Sequence, residues 1–275
     1  MKTVCPVCMH HCTIEEGKTG LCRARSNENG RIVCTNYGKI TSYALDPIEK
    51  KPLRRFFPGS KILSVGSYGC NLSCGFCQNH GISMVKEEEA DYGILMPEEL
   101  VNEALAYTEK GNIGIAYTYN EPLIGYEYVR DCAKLARKNG LKNVIVTNGC
   151  AELEVLEELL PYTDAFNIDL KGFTEHFYKN VGGSLSMVKA FIERAAKESH
   201  VEVTTLIIPG ENDDVKEIKQ AVSWLASIDE NIPYHVSRFF PMWEMKDKEA
   251  TGIETVYSLA KTAREHLKYV YEGNC

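Results

Sequence analysis

From about residue 61 the chain alternates between short β-branched runs and amphipathic stretches, and this alternation restricts the fold more than any other feature. Strands are predicted at 62–67, 113–117, 143–147, 165–170, 201–208 and 234–239. Helices are predicted at 97–110, 123–138, 151–160, 173–179, 185–198, 213–226 and 253–267. Pro97 suits the first turn of its helix, Asn139-Gly140 is a C-cap signal, and Asp213 and Asp214 suit a helix N-terminus. Short strands alternating with helices argue for parallel βαβ units. Six such units fall short of an eight-unit barrel, so an open or partial barrel and a doubly wound sheet both satisfy the pattern. Either fold places its ligand site at the C-terminal ends of the strands.

Residues 1–58 read differently. Apolar periodicity is weak there, and cysteine, glycine and charge are frequent. A segment this poor in apolar area gains order from a metal staple. The expected division is a cysteine-rich segment at 1–58 and a strand–helix domain at 59–275. There are 11 cysteines, most of them clustered before residue 78. No secretory signal and no apolar run of about 18 residues is visible, which predicts a cytoplasmic chain whose thiols serve as ligands rather than disulfides. The net charge of −7 argues against generic binding to nucleic acid or to an anionic membrane.

The stretch 69–79, Gly-Cys-Asn-Leu-Ser-Cys-Gly-Phe-Cys-Gln-Asn, directly follows the first predicted strand. Three cysteines in eight residues, Cys70, Cys74 and Cys77, can wrap one corner of a four-iron cluster. That leaves one iron for a small molecule. The competing reading is a zinc site completed by His80, which fits the Cys-x3-Cys-x2-Cys spacing poorly.

Cys70-x3-Cys74-Gly75-Phe76-Cys77 resembles the signature of the radical S-adenosylmethionine (SAM) superfamily. The resemblance extends to residues 46–53 (Asp-Pro-Ile-Glu-Lys-Lys-Pro-Leu), 57–60 (Phe-Pro-Gly-Ser), 116–122 (Ala-Tyr-Thr-Tyr-Asn-Glu-Pro) and 237–241 (Ser-Arg-Phe-Phe-Pro). These are similar to the radical SAM enzymes of the AmmeMemoRadiSam system, relatives of pyruvate formate-lyase activating enzymes. The resemblance implies a partial (β/α)6 barrel, a [4Fe-4S] cluster, SAM, and a reductant such as flavodoxin or ferredoxin. It also implies site residues. Phe76 would pack near the SAM adenine. Thr118 to Glu121, with Asn120 among them, stand where the superfamily has Gly-Gly-Glu, so Glu121 would meet the SAM amino group and Asn120 would border the cofactor. Asn148 would contact the methionine end and ribose. Asp169 and Lys171 fall in an Asp-Leu-Lys segment, and His235 would lie near the adenine and ribose. Related activases carry an acid before Thr-Asn-Gly that helps bind a monovalent cation; here that residue is Val146. Many relatives also continue past the segment resembling 269–274, and whatever that extension contributes is expected to be missing.

Cys5, Cys8, Cys12 and Cys22 form a second set, Cys-x2-Cys-x3-Cys-x9-Cys. Four thiolates suffice for zinc or for an auxiliary iron–sulfur cluster, and His10, His11 or Cys34 could replace one of the four. Their distance from Cys70 along the chain predicts a centre independent of the first. The expected activity is reductive cleavage of SAM to a 5′-deoxyadenosyl radical that takes hydrogen from a substrate. Resemblance to glycyl-radical activases suggests a glycine in a partner protein. The alternatives are radical modification of a small molecule or of another protein, and a non-catalytic iron–sulfur electron-transfer protein.

Overall fold

The computed structural model describes residues 1–275. Its frame is an eight-stranded sheet. β1 (Ser42–Pro47) pairs antiparallel with β2 (Lys61–Gly66). The sheet continues through β3 (Asn112–Tyr117), β4 (Lys142–Thr147), β5 (Ala165–Asp169), β6 (His200–Ile207), β7 (Tyr234–Arg238) and β8 (Val270–Gly273). Each of these is parallel to the strand before it. β1 and β8 are the two edges and do not pair, so the barrel is unclosed. No helix is long and apolar enough to cross a membrane.

The strands carry different residues on their two faces, as a period of two requires. Leu63, Val65, Ile115, Ile145, Phe166, Ile168 and Val203 point into the main apolar core. They pack there against α1 (Pro97–Ala106), α2 (Tyr126–Lys138), α3 (Leu153–Leu159), α4 (Glu175–Asn180), α5 (Leu185–Ala195), α6 (Val215–Ile228) and α7 (Ile253–Ala263). The opposite face carries Ile62, Ala116, Val144 and Ala165, which form a separate small core with Ile48, Leu53 and Phe56.

These last three belong to the connection between β1 and β2, which therefore plugs the barrel at the N-terminal ends of its strands. Fully buried Glu202 anchors the plug, accepting from Arg54 N at 2.9 Å and Arg55 N at 2.7 Å. Asn167 Nδ2 donates to Pro52 O at 2.9 Å. The conspicuous run at residues 46–60 is thus barrel interior. Arg54 and Arg55 of the plug stay exposed.

All six predicted strands are present, and the predicted helices are found within a few residues of their expected ends. The six-unit barrel is corrected to seven parallel strands, because β8 adds one. Its four residues bury only Val270, too short and one-sided a run to separate from a loop. β1 was not foreseen either; it lies in the weakly periodic first 58 residues. Ahead of it stand two hairpins, Lys2–Val4 with Thr13–Glu15 and Arg25–Glu28 with Arg31–Cys34. Cys5 and Val7 in the turn of the first hairpin and Ile14 in its second strand are part of the main core.

Candidate active site

The turn leaving β2 is fixed from β3. Asn120 Oδ1 accepts from Ser67 N at 2.9 Å, and its Nδ2 lies 3.1 Å from both Tyr68 O and Gly69 O. The Asn120 amide is therefore committed to the backbone just before Cys70, and it borders the cavity without a free polar group to offer. Tyr119 beside it has a positive φ of 72°. Its hydroxyl donates to Asp46 Oδ2 at 2.7 Å, and Lys51 Nζ sits 4.5 Å from its ring centroid.

Beyond this turn Cys70, Cys74 and Cys77 line one cavity of about 340 Å³ at the C-terminal ends of the strands. Leu72 N donates to Cys70 Sγ at 3.3 Å, and Cys77 N to Cys74 O at 3.0 Å. Burial pushes the Cys74 thiol up to about 11 and Cys70 well above the ordinary thiol range, with Glu121 adding to Cys70. The three thiols come from one eight-residue turn and face one cavity, and sulfur is the donor type that iron–sulfur clusters take. The donor set thus fits a thiolate-held cluster. His80 adds little to the zinc alternative: its Nδ1 is 3.1 Å from Cys77 O and its ring stacks on Trp243.

Glu121 is 3% exposed and joins β3 to β4. Oε1 accepts from the Thr147 hydroxyl at 2.6 Å and from Leu123 N at 3.0 Å; Oε2 accepts from Asn148 N at 2.8 Å. Burial raises its carboxyl to about 7 against the pull of these donors. A cation entering the cavity would favour the ionised form. Asn148 Nδ2 donates to Asn71 Oδ1 at 2.9 Å, which ties the end of β4 to the cysteine loop.

On the other wall Asp169 Oδ2 lies 2.6 Å from Lys171 Nζ. Burial works against the Lys171 charge, but Asp169 and the nearby Cys74 outweigh it and hold the ammonium above the usual lysine range. Phe76 is 4% exposed, packs against Phe177 and lines the cavity.

Cys70, Cys74, Cys77, Phe76, Asn120, Glu121, Asn148, Asp169 and Lys171 thus meet around one space. His235 does not join them, which corrects its expected place. It sits near the start of β7, at the plugged end, with Nε2 2.6 Å from Glu202 Oε2 and its ring stacked on Tyr271. The sequence reading missed Lys50, Thr204, Ser237 and Asn274, which also line the cavity. Two of these were findable. Thr204 and Ser237 are two residues beyond Glu202 and His235, hence on the same inner face but nearer the open end.

Cys5, Cys8, Cys12 and Cys22 surround a second, small void of about 10 Å³. All 11 cysteines are free thiols. Nowhere in the chain do three His, Cys, Asp or Glu side chains close on one point as a single bound ion would draw them.

A parallel α/β frame with a thiol-bearing loop at its carboxyl edge belongs to the proteins that hold a cofactor at their strand ends. The family described as "Radical SAM superfamily" matches residues 64–222, from β2 into α6. This chain belongs to that superfamily. It is 40% identical over 276 residues to an uncharacterized protein of Methanocaldococcus jannaschii, covering 99% of this chain and 81% of that one. It is 25% identical over 217 residues to the pyruvate formate-lyase-activating enzyme of Clostridium pasteurianum, covering 73% of this chain and 89% of that enzyme. In fold it resembles Streptococcus suis SuiB bound to S-adenosylmethionine, with a TM-score of 0.59 at 14% identity over 78% of this chain and 52% of SuiB.

Proposed function

We propose that the chain is a radical SAM activase, acting on a glycine of a partner protein. What carries the reading is the meeting, in one cavity, of three loop thiols with Glu121 and the Asp169–Lys171 pair. Cys70, Cys74 and Cys77 would hold a [4Fe-4S] cluster. Bound there and reduced, the cluster supplies the electron that splits SAM into methionine and a 5′-deoxyadenosyl radical able to take a hydrogen atom.

The protein's own groups bind and orient. Glu121, already fixed by Thr147, Leu123 and Asn148, offers its charge to the SAM ammonium. Lys171 offers a cation to the SAM carboxylate, while Asp169 and Asn148 serve its hydroxyls. Phe76 provides an apolar wall for the adenine. Phe177 behind it and Asn120 at the turn keep the loop in place.

Similarity to the Clostridium pasteurianum activating enzyme supports a protein substrate and a flavodoxin or ferredoxin reductant. The motifs at 46–53 and 116–122 support a place in the AmmeMemoRadiSam group. Eleven free thiols suit a reducing, cytoplasmic setting.

The test is anaerobic. Reconstituted protein with dithionite and SAM should yield 5′-deoxyadenosine and methionine by chromatography. With the true partner present, electron paramagnetic resonance should show a radical on that partner. A reconstituted, iron-loaded chain that binds no SAM would overturn the reading and leave an electron-transfer protein.

A further inference from the structure

We propose that Cys5, Cys8, Cys12 and Cys22 hold a second metal centre on four thiolates, a zinc ion or an iron–sulfur cluster, seated against the back of the Cys70–Cys77 loop. The ligand set rests on the four thiols that line one void, where they are gathered but not yet closed on a single point. The coupling to the first centre rests on the proposed cluster at Cys70, Cys74 and Cys77.

The four thiols come from two loops of the first hairpin pair and gather around one void. Cys5, Cys8 and Cys22 are buried; Cys12 is half-buried. Burial raises the Cys5, Cys8 and Cys22 thiols above the ordinary range, Cys8 to about 11. Beside the void lies Arg25, 2% exposed, gripping Glu127 through two bonds of 2.5 and 2.6 Å and Ile124 O at 2.6 Å.

The segment also has a structural need for such a centre. Two-stranded hairpins are marginal alone. Residues 1–34 contain only two of them, with strands of three or four residues. Deprotonation and metal binding would draw four sulfurs together across both.

The seat is direct. At Gly69, with φ of +88°, a Cβ would stand 2.5 Å from Cys22 O. Only glycine lets the backbone leading into Cys70 approach so closely. His10 Nε2 meets Asn71 O at 2.8 Å. The Asn71 side chain reaches toward Cys8 on one side. On the other it accepts from Asn148 at 2.9 Å and donates to Cys150 O at 2.7 Å. Asn71 therefore stands between the two thiol sets, which lie against one another in the fold despite their separation in sequence.

The experiment is metal analysis of the anaerobically purified full chain carrying Cys70→Ala, Cys74→Ala and Cys77→Ala, with circular dichroism to verify folding. Retained zinc, or retained iron with matching sulfide, is the expected result and says which centre it is. A folded variant retaining neither overturns the proposal, as does metal that persists after Cys8→Ser is added. Should the triple variant not fold, Cys5→Ala/Cys8→Ala in the otherwise native chain serves instead: loss of one zinc or of one cluster's iron is expected, and unchanged metal content overturns it. That double variant also tests the coupling, with lower cluster occupancy at Cys70–Cys77 and an altered resonance spectrum expected; wild-type occupancy and spectrum would overturn the coupling. A wild-type chain that takes up no iron at Cys70–Cys77 would instead overturn the proposed function, and zinc at the four thiols would still be read.

Discussion

The Thr147 hydroxyl donates to Glu121 Oε1 at 2.6 Å, linking the ends of two adjacent parallel strands across the floor of the cavity. With Asn148 N on Oε2 at 2.8 Å, this leaves the carboxylate little freedom. A charge held so firmly is organised for a cationic partner before the partner arrives.

Glu121→Gln should therefore weaken SAM binding without loss of iron. A charge-assisted hydrogen bond contributes about 1.5–3 kcal/mol, so affinity should fall by about ten- to a hundredfold in calorimetry. Binding should also tighten as pH rises through about 7, the value to which burial lifts this carboxyl. The same shift has a sign for stability. A raised carboxyl contributes stability that is complete below the unfolded value near 4.5 and is lost as pH rises through about 7. The variant should lose both dependences; SAM affinity unchanged from wild type would place Glu121 outside the site.

Cys74→Ala should remove the loop cluster and leave the sheet folded. Cys74 is one small member of a core of 57 buried residues, so loss of its sulfur should leave the rest of that core packed. Iron content should drop and SAM cleavage should vanish, while the circular dichroism spectrum stays native. A variant in which Cys70, Cys74 and Cys77 are all Ala and iron is undiminished would sink the assignment.

Much of this was legible because strand period and loop chemistry are local. Residues 62–67 and 113–117 announce strands, and Cys70-x3-Cys74-x2-Cys77 announces a cluster loop, whatever surrounds them. His235 failed for a geometric reason. Sequence placed it on the correct strand, but its role depends on which way its side chain turns, and only its bond to Glu202 of the neighbouring strand, which anchors the plug, shows that. The plug failed for a different one. Ile48, Leu53 and Phe56 show no period because an irregular connection buries them, and their partners lie on four separate strands.

Glu202→Gln should release the plug. Glu202 accepts from two backbone amides and two histidines while fully buried. Removing the charge from such a network should cost about 3 kcal/mol in urea denaturation and quicken proteolysis within residues 48–60. The pH dependence has a definite sign. Burial alone would raise this carboxyl, but His200, His235 and the amide donors hold it at about 2, below its ordinary 4.5. Its stabilisation is complete above about 4.5 and is lost as pH falls through about 2. The variant should lose part of the acid-induced destabilisation seen in wild type. Equal acid curves for the two proteins would show that the carboxylate is not holding the plug.

Asp46 and Lys51 set up the last prediction. Lys51 Nζ, almost wholly buried, is 2.9 Å from Asp46 Oδ2, and that oxygen also receives the Tyr119 hydroxyl at 2.7 Å. Burial lowers Lys51 below the ordinary lysine range, with Asp46 opposing the change. Asp46→Asn therefore strands a buried ammonium and should destabilise the chain by about 3 kcal/mol or more. Removing both charges, as Asp46→Asn with Lys51→Met, should recover much of that loss, because no uncompensated charge remains. The network also supports Tyr119, whose left-handed backbone aims Asn120 and Glu121 at the cysteine turn and the cavity. SAM affinity should accordingly fall in Asp46→Asn even under conditions where the protein stays folded. A double variant no more stable than Asp46→Asn alone would mean that the loss comes from the Tyr119 bond rather than from the stranded charge.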